Sequence, residues 1–167
     1  MNLVQVLRRC EVFVGLDDSC LQEVASLSSW RRNIYNVGEF IFCENDVAKD
    51  FYILEEGEVN LVVALYDETS KGLTQTPVDI ITKGAVFGWS SLVAPHSLTM
   101  SAICVKPSTV VAVDGVELNQ LFDRDCSLGY EVMRGLVRVI GARLRDLRRT
   151  LASTEKVPPL EQKSHLE

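Results

Sequence analysis

Phe87-Gly88-Trp89-Ser90-Ser91 is the stretch of this chain whose residue types could do chemistry. A helix starting after Gly88 would turn its unbonded backbone N–H groups outward, and together with the helix dipole these form a seat for an anion. Ser90 and Ser91 are placed to cap such a helix and to add hydroxyl donors, while Gly88 lets a ligand come close to the backbone. Trp89 reads in two ways, as a plug filling a core or as a face on which a planar ligand stacks. Other chemistry is poorly provided for. The two histidines, His96 and His165, cannot build the histidine set with which jelly-roll enzymes hold a metal. Cys10, Cys20, Cys43, Cys104 and Cys126 are scattered without a C-x-x-C pair, so free thiols in a reducing compartment are expected, with redox sensing as the alternative. No nucleophile elbow or P-loop is present. A non-catalytic protein is the expectation.

The elements that must position this stretch are short strands. Between Trp30 and Asp114 the chain breaks into β-rich runs at Arg32–Asn36, Glu39–Cys43, Asp50–Glu55, Glu58–Leu65, Val78–Thr82, Ala85–Phe87, Ser101–Lys106 and Thr109–Val113. Gly38, Gly57, Gly84 and Gly88 punctuate them, the signature of an antiparallel roll or barrel. Polar Asp67–Thr76 reads as an exposed hairpin tip. Before the roll, Asp17, Asp18 and Ser19 offer N-cap oxygens, Ser19 and Gln22 make a capping-box pattern, and Leu21, Val24, Ala25 and Ser28 fall on one helical face. After it, Gly115–Phe122 forms a short helix and Ser127–Ala152 a long one.

In the long helix Met133, Val137, Ile140, Leu144, Leu147 and Leu151 are spaced 4, 3, 4, 3, 4, a heptad seam suited to a second helix. Packing on the chain's own roll is the alternative. Arg134, Arg138, Arg143, Arg145, Arg148 and Arg149 read as a solvated basic face or as a contact to an acidic partner. Gly135 and Gly141 each weaken the helix by about 1 kcal/mol relative to alanine, which points to a close approach or a bend.

Residues 1–152 are expected to form one domain, with helices over 1–29, the β-roll over 30–114 and helices over 115–152. Residues 153–167, with Pro158-Pro159, are expected to be a disordered tail. A formal charge of −6 gives no general attraction to nucleic acid or anionic membrane. No run approaches the ~18–20 apolar residues of a membrane span, and no basic leader opens the chain, so a cytoplasmic protein is expected.

One ordered succession is more specific. Val37-Gly38-Glu39-Phe40-Ile41, Glu44-Asn45-Asp46-Val47-Ala48 and Phe51-Tyr52-Ile53-Leu54-Glu55-Glu56-Gly57-Glu58-Val59 lead to Lys83-Gly84-Ala85-Val86-Phe87-Gly88 and Val111-Ala112-Val113-Asp114. This order, over residues 3 to 152, resembles the cyclic-nucleotide-binding domain family. The resemblance implies a mainly β fold, an antiparallel β-roll or jelly-roll with N-terminal helices and a long C-terminal helix. It also implies a phosphate-binding cassette inside the roll, formed by Phe87, Gly88, Trp89, Ser90, Ser91 and Leu92 with Thr99, Met100 and Ser101. The long helix would close over the base and transmit occupancy to a dimer or an output domain.

The chain departs from that family pattern at the charged positions. Phe-Gly is usually followed by a glutamate that holds the ribose hydroxyl, and here Trp89 stands there. An arginine usually pairs with the cyclic phosphate; counting back from Val111-Ala112 places Thr99 at that point. A charge-assisted pair to a buried phosphate contributes about 3 kcal/mol, so its loss lowers affinity roughly a hundredfold. His96, Arg31 or Arg32 would have to compensate, although His96 reads first as a turn residue. Arg145-Asp146-Leu147-Arg148 replaces the hydroxyls that some relatives offer to the base.

The leading expectation is therefore a homodimeric sensing module that takes a cyclic nucleotide or other small anionic ligand and needs no resident cofactor. It has no nucleic-acid contact of its own and no membrane insertion. The alternatives are a ligand-free domain acting in dimerisation or protein–protein contact, and the sensory part of a longer helix-turn-helix regulator.

Overall fold

A computed structural model describes residues 2–69 and 71–154. In chain order it contains α1 (Leu3–Arg9), α2 (Asp18–Ala25), β1 (Arg31–Tyr35), β2 (Phe40–Phe42), β3 (Asp50–Glu56) and β4 (Val59–Asp67). There follow β5 (Gly72–Ile81), β6 (Val86–Phe87), β7 (Ser101–Cys104), β8 (Ser108–Asp114), α3 (Gly115–Arg124) and α4 (Cys126–Thr154). The strands make two four-stranded antiparallel sheets, β1-β8-β3-β6 and β2-β7-β4-β5. The expected mainly β roll with flanking helices is the fold observed.

Period-two alternation explains the layering. In β3, Phe51 and Ile53 enter the core shared with the helices, whereas Leu54 enters the core between the sheets. Neighbouring β8 does the same, with Val111 and Val113 on one side and Val110 on the other. The first sheet is thus covered on both faces. The helical layer contributes Leu7, Phe13, Leu21, Val24, Leu118 and Leu121, and the second sheet contributes Val59, Leu61 and Ile81. Gly57 makes the β3–β4 turn possible: its φ is 99° and a Cβ there would lie 2.5 Å from the Pro107 carbonyl oxygen.

Three local expectations are adjusted in extent. The exposed hairpin tip expected over Asp67–Thr76 is shorter than that, because β4 and β5 pair from Val59↔Ile81 out to Asp67↔Gly72. Residues 72–76 face solvent on both sides for most of their length and so carry no apolar alternation. Of the three N-cap oxygens offered at the start of α2, Asp17 is the one used and the Ser19–Gln22 capping box is not: the Asp17 carboxylate accepts from the Cys20 amide at 2.8 Å and from the Ser19 hydroxyl at 2.7 Å. A charged acceptor suits the positive end of the helix better than a hydroxyl. Finally α4 begins one residue earlier than expected and takes in Ser153 and Thr154; the rest of the expected tail lies outside the described residues.

Candidate functional site

β6 and the loop before β7 converge on a small recess at the edge of the inter-sheet core. Phe42, Leu61, Gly88, Trp89, Ser90, Leu98, Thr99 and Met100 line it. Gly88 turns the chain out of β6 with φ 70°; a Cβ there would stand 2.6 Å from Tyr52 Cδ2, so glycine alone fits. Beneath lies an aromatic floor. Phe87 stacks on Tyr52 at 5.1 Å and leans on Phe42 at 5.9 Å. Burial pushes the Tyr52 phenol well above its ordinary pKa, with Asp50 adding to the effect, so it remains a neutral hydroxyl.

The space open to the centre of a water molecule is about 40 Å³. In this conformation that accommodates water, and since ligand pockets commonly run to roughly 300–1,000 Å³ a nucleotide requires the recess to open. None of the lining side chains carries a charge.

The sequence-predicted residues divide into two groups here. Gly88, Trp89, Ser90, Thr99 and Met100 face the recess. Phe87, Ser91, Leu92 and Ser101 do not. Phe87 is core, and Ser101 Oγ accepts from the Glu44 amide at 2.8 Å. Ser91 packs against Gly115 at the start of α3, and the Leu92 carbonyl accepts from Asn119 Nδ2 at 3.2 Å.

The expected anion-holding helix is only a four-residue 3₁₀ turn, Trp89–Leu92, headed by Gly88. A single such turn has little dipole to offer. Neither serine caps it: Gly88 is the capping residue, and Ser91 Oγ is buried without a partner. The Ser91 amide donates to the Gly88 carbonyl at 3.1 Å, while the Trp89 and Ser90 amides, at the head of the turn, have no partner within it. Nor do the compensating cations reach inward. Arg31 pairs with Asp50, Arg32 pairs with Glu55, and His96 is exposed.

Sequence reading missed the residue that contacts Trp89 from outside. Arg143 of α4 is not on the solvated basic face; its side chain is only 16% exposed. Its Nη2 donates to Glu11 Oε1 at 2.8 Å and to the Val86 carbonyl at 2.7 Å, and its Nε lies 3.4 Å from Asp79 Oδ2. The guanidinium carbon sits 4.8 Å from the centroid of the Trp89 ring, a cation–π contact. Trp89 walls the recess and offers a ring face to the chain's own Arg143. A signal for Arg143 was available. Val132, Leu136, Val139 and Arg143 are spaced 4, 3, 4, which puts the arginine on the helix's buried stripe.

The outer stripe of α4 carries the heptad residues. Val137, Ile140, Leu144 and Leu151 are exposed and Met133 and Leu147 half-buried, opposite buried Leu128, Val132, Leu136 and Val139. Gly135 is explained by a close approach, since a Cβ there would lie 2.4 Å from the Val12 carbonyl oxygen; Gly141 meets nothing nearer than Arg145 Nη1 at 3.5 Å. Of the cysteines, Cys10 and Cys104 are buried, Cys20 is half-buried, and Cys43 and Cys126 are exposed. Burial pushes the Cys10 thiol up to about 12. Among the described residues there is no group of three or more potential metal ligands and no helix long and apolar enough to cross a membrane.

Comparison with known proteins fits this geometry. Residues 32–125 match the family model described as cyclic nucleotide-binding domain. A candidate cyclic nucleotide-binding protein from Geobacter metallireducens GS-15 is 30% identical, with 86% of this chain and 99% of that chain covered and a TM-score of 0.69. A cyclic nucleotide-binding domain from Methylobacillus flagellatus KT is similar in fold at 17% identity, with coverages of 95% and 85% and a TM-score of 0.75. The regulatory subunit of a cAMP-independent protein kinase A from Trypanosoma brucei aligns at 20% identity, with coverages of 81% and 45% and a TM-score of 0.64. That structure is a triple mutant bound to cAMP, one of whose substitutions turns a threonine into arginine. A search among curated proteins finds no match.

Proposed function

Because this chain belongs to the cyclic nucleotide-binding domain family, we propose that it is a non-catalytic regulatory module, dimeric through α4, whose recess beside Gly88 seats a small nucleotide-like ligand. The observation that carries this reading is the convergence of Gly88, Trp89, Ser90, Thr99 and Met100 on one recess. Those positions come from the two segments that the family uses to hold a cyclic phosphate. With no charged side chain at the recess, the anion is left to the Trp89 and Ser90 amides, and affinity for cAMP is correspondingly low. The dimer reading is supported by the apolar outer stripe of α4, which its own roll leaves exposed.

Calorimetry against cAMP tests the ligand seat. Restoring the charged pair with Trp89→Glu and Thr99→Arg together is expected to tighten binding about a hundredfold over the wild-type chain. Equal affinity in the two proteins would remove the seat from this place. Sedimentation tests the dimer: Ile140→Glu with Leu144→Glu is expected to convert a dimer to a monomer while the fold persists.

A second reading, a ligand-free scaffold that only dimerises, is favoured by the small free volume of the recess. An intact dimer showing no thermal stabilisation by any cyclic mono- or dinucleotide decides for it.

A further inference from the structure

α4 is charged unlike the rest of the molecule. It carries six arginines, no lysine, and only Glu131 and Asp146 against them. That is a net charge of +4 in a chain of −6, so the remainder carries −10. Arg143 is occupied by Glu11, Asp79 and the Val86 carbonyl. The other five are exposed and form a stripe. At 100° per residue, Arg134, Arg138, Arg145, Arg148 and Arg149 fall within an arc of about 100°. That arc borders the heptad stripe and points away from buried Leu128, Val132, Leu136 and Val139. From Arg134 to Arg149 the stripe is about 22 Å long, at 1.5 Å per residue.

The chain itself does little to neutralise the stripe. Glu131 reaches Arg134 and Asp146 reaches Arg149, each at 3.5 Å. A charge-assisted hydrogen bond is shorter, roughly 2.7–2.9 Å. Arg138, Arg145 and Arg148 have no carboxylate partner among the described residues. Arg134 with Arg138, and Arg145 with Arg148 and Arg149, are like charges one turn apart, which weakens a helix. Pairing the heptad stripe with a second copy does not relieve this. Arg134 and Arg148 follow Met133 and Leu147 at the margin of that stripe, so identical helices bring arginine, and no carboxylate, to the margins of the seam.

We infer that this stripe is the docking face for an acidic helical segment of a different protein, a row of carboxylates laid along α4. Carboxylate is the matching chemistry, because a planar guanidinium takes it with two parallel hydrogen bonds where lysine offers a point charge. A short segment is the matching shape, because the positive charge is local. A nucleic-acid duplex or an anionic bilayer extends well beyond about 22 Å and meets the −10 of the rest of the chain. A helix of about fifteen residues ends where the stripe ends. Carboxylates on one of its faces, spaced 4, 7 and 3 residues apart like Arg134, Arg138, Arg145 and Arg148, meet the arginines in turn. The stripe lies outside both the recess and the heptad residues, so the inference depends on neither the ligand nor the dimer.

The test is fluorescence anisotropy of the full chain with three synthetic helical peptides of equal length. One carries four glutamates at that spacing on one face, one has the same glutamates scattered round the helix, and one has glutamines in their place. The one-faced peptide is expected to bind saturably, about tenfold or more tighter than the other two, and to weaken as added salt shortens the Debye length. Arg138→Gln, Arg145→Gln and Arg148→Gln together are expected to weaken it about tenfold. The same loss of charge at exposed Lys49, Lys71 and Lys83, each changed to Gln, is expected to leave binding within about twofold. Absence of saturable binding by the one-faced peptide, or equal binding by the scattered one, would overturn the inference. So would equal weakening by the two triple variants, because that is attraction of net charge alone. Vesicles of phosphatidylcholine with about 30% phosphatidylglycerol, and a duplex of about 20 base pairs, are expected not to be retained. Binding of either as tightly as the peptide assigns the stripe to that surface and overturns the acidic helix. No nucleotide is present and the peptide is read on monomer or dimer alike, so failure here is separate from failure of the calorimetry or the sedimentation.

Discussion

The helix-covered core and the cassette region of this molecule are finished to different standards. Between the sheet and the helices, Phe13, Phe51, Leu7, Leu21, Leu118 and Leu121 are almost wholly buried, and the polar groups at the margin have partners. Trp30 Nε1 donates to the Val24 carbonyl at 2.9 Å, and the Glu117 carboxylate accepts from the amides and hydroxyls of Ser28 and Ser29. At the cassette and the helix segment that leans on it, Ser91 Oγ and Arg143 Nη1 are buried with no partner. Each unsatisfied buried group costs on the order of 1–3 kcal/mol. The difference teaches where stability is made and where it is given up: the dense core holds the fold, and the region of unpaired groups is the one able to change partners.

The largest test of that contrast sets Phe51→Ala against Met100→Ala. Phe51 is fully buried and meets Phe13 edge-to-face at 6.4 Å, so its truncation is expected to cost about 3–5 kcal/mol in urea unfolding. Met100, half-buried in the recess wall, is expected to cost under about 1.5 kcal/mol. Similar losses at the two positions would erase the distinction between core and recess.

The two glycines of α4 sharpen it, because their alanine variants are expected to differ in sign. Gly135→Ala drives a methyl into the Val12 backbone carbonyl and is expected to destabilise by about 1–3 kcal/mol. Gly141→Ala meets only ordinary contact and removes a weak helix position, so it is expected to stabilise by up to about 1 kcal/mol. Thermal unfolding of the pair reads both signs at once. Destabilisation by Gly141→Ala would mean that this glycine is needed for packing after all.

Glu117 gives the helix side a pH signature. Hydrogen bonds from Ser29 and Ser28 hold its carboxyl down to about 2, below the ordinary 4.5. A depressed carboxylate stabilises the fold fully above its unfolded pKa, and that contribution is lost as pH falls from about 4.5 toward 2. Allowing for solvent screening at a half-exposed site, Glu117→Gln is expected to cost about 1 kcal/mol at pH 7. The gap to the wild-type chain should close below about pH 3. A gap that persists at pH 2 would show that shape, not charge, makes the contact.

What the sequence disclosed follows the same division. Strands β3 and β8 were legible because their side chains alternate between two apolar cores, and the outer stripe of α4 because heptad spacing survives whatever covers it. The outer half of β5, residues 72–77, was not, because a strand mostly wet on both faces carries no alternation. Within the cassette, the ordered glycines located the recess. Its closure could not be read, since Trp89 stands against Arg143, more than fifty residues away in sequence. Arg143 itself was hidden among six arginines that composition alone treats alike; only its place on the buried stripe separates it.

Ser91→Ala is the smallest expected effect and tests the contrast most directly. The hydroxyl is buried, has no partner, and shares its space with the start of α3, where a Cβ on Gly115 would stand 2.8 Å from Ser91 Cβ. Alanine keeps that shape and removes the unpaired oxygen. If the oxygen is only a cost, the variant is neutral or more stable by up to about 1 kcal/mol, and thermal unfolding will show it. A loss of more than about 1 kcal/mol would mean that the hydroxyl is satisfied in solution, and the cassette would then be as well finished as the helix-covered core.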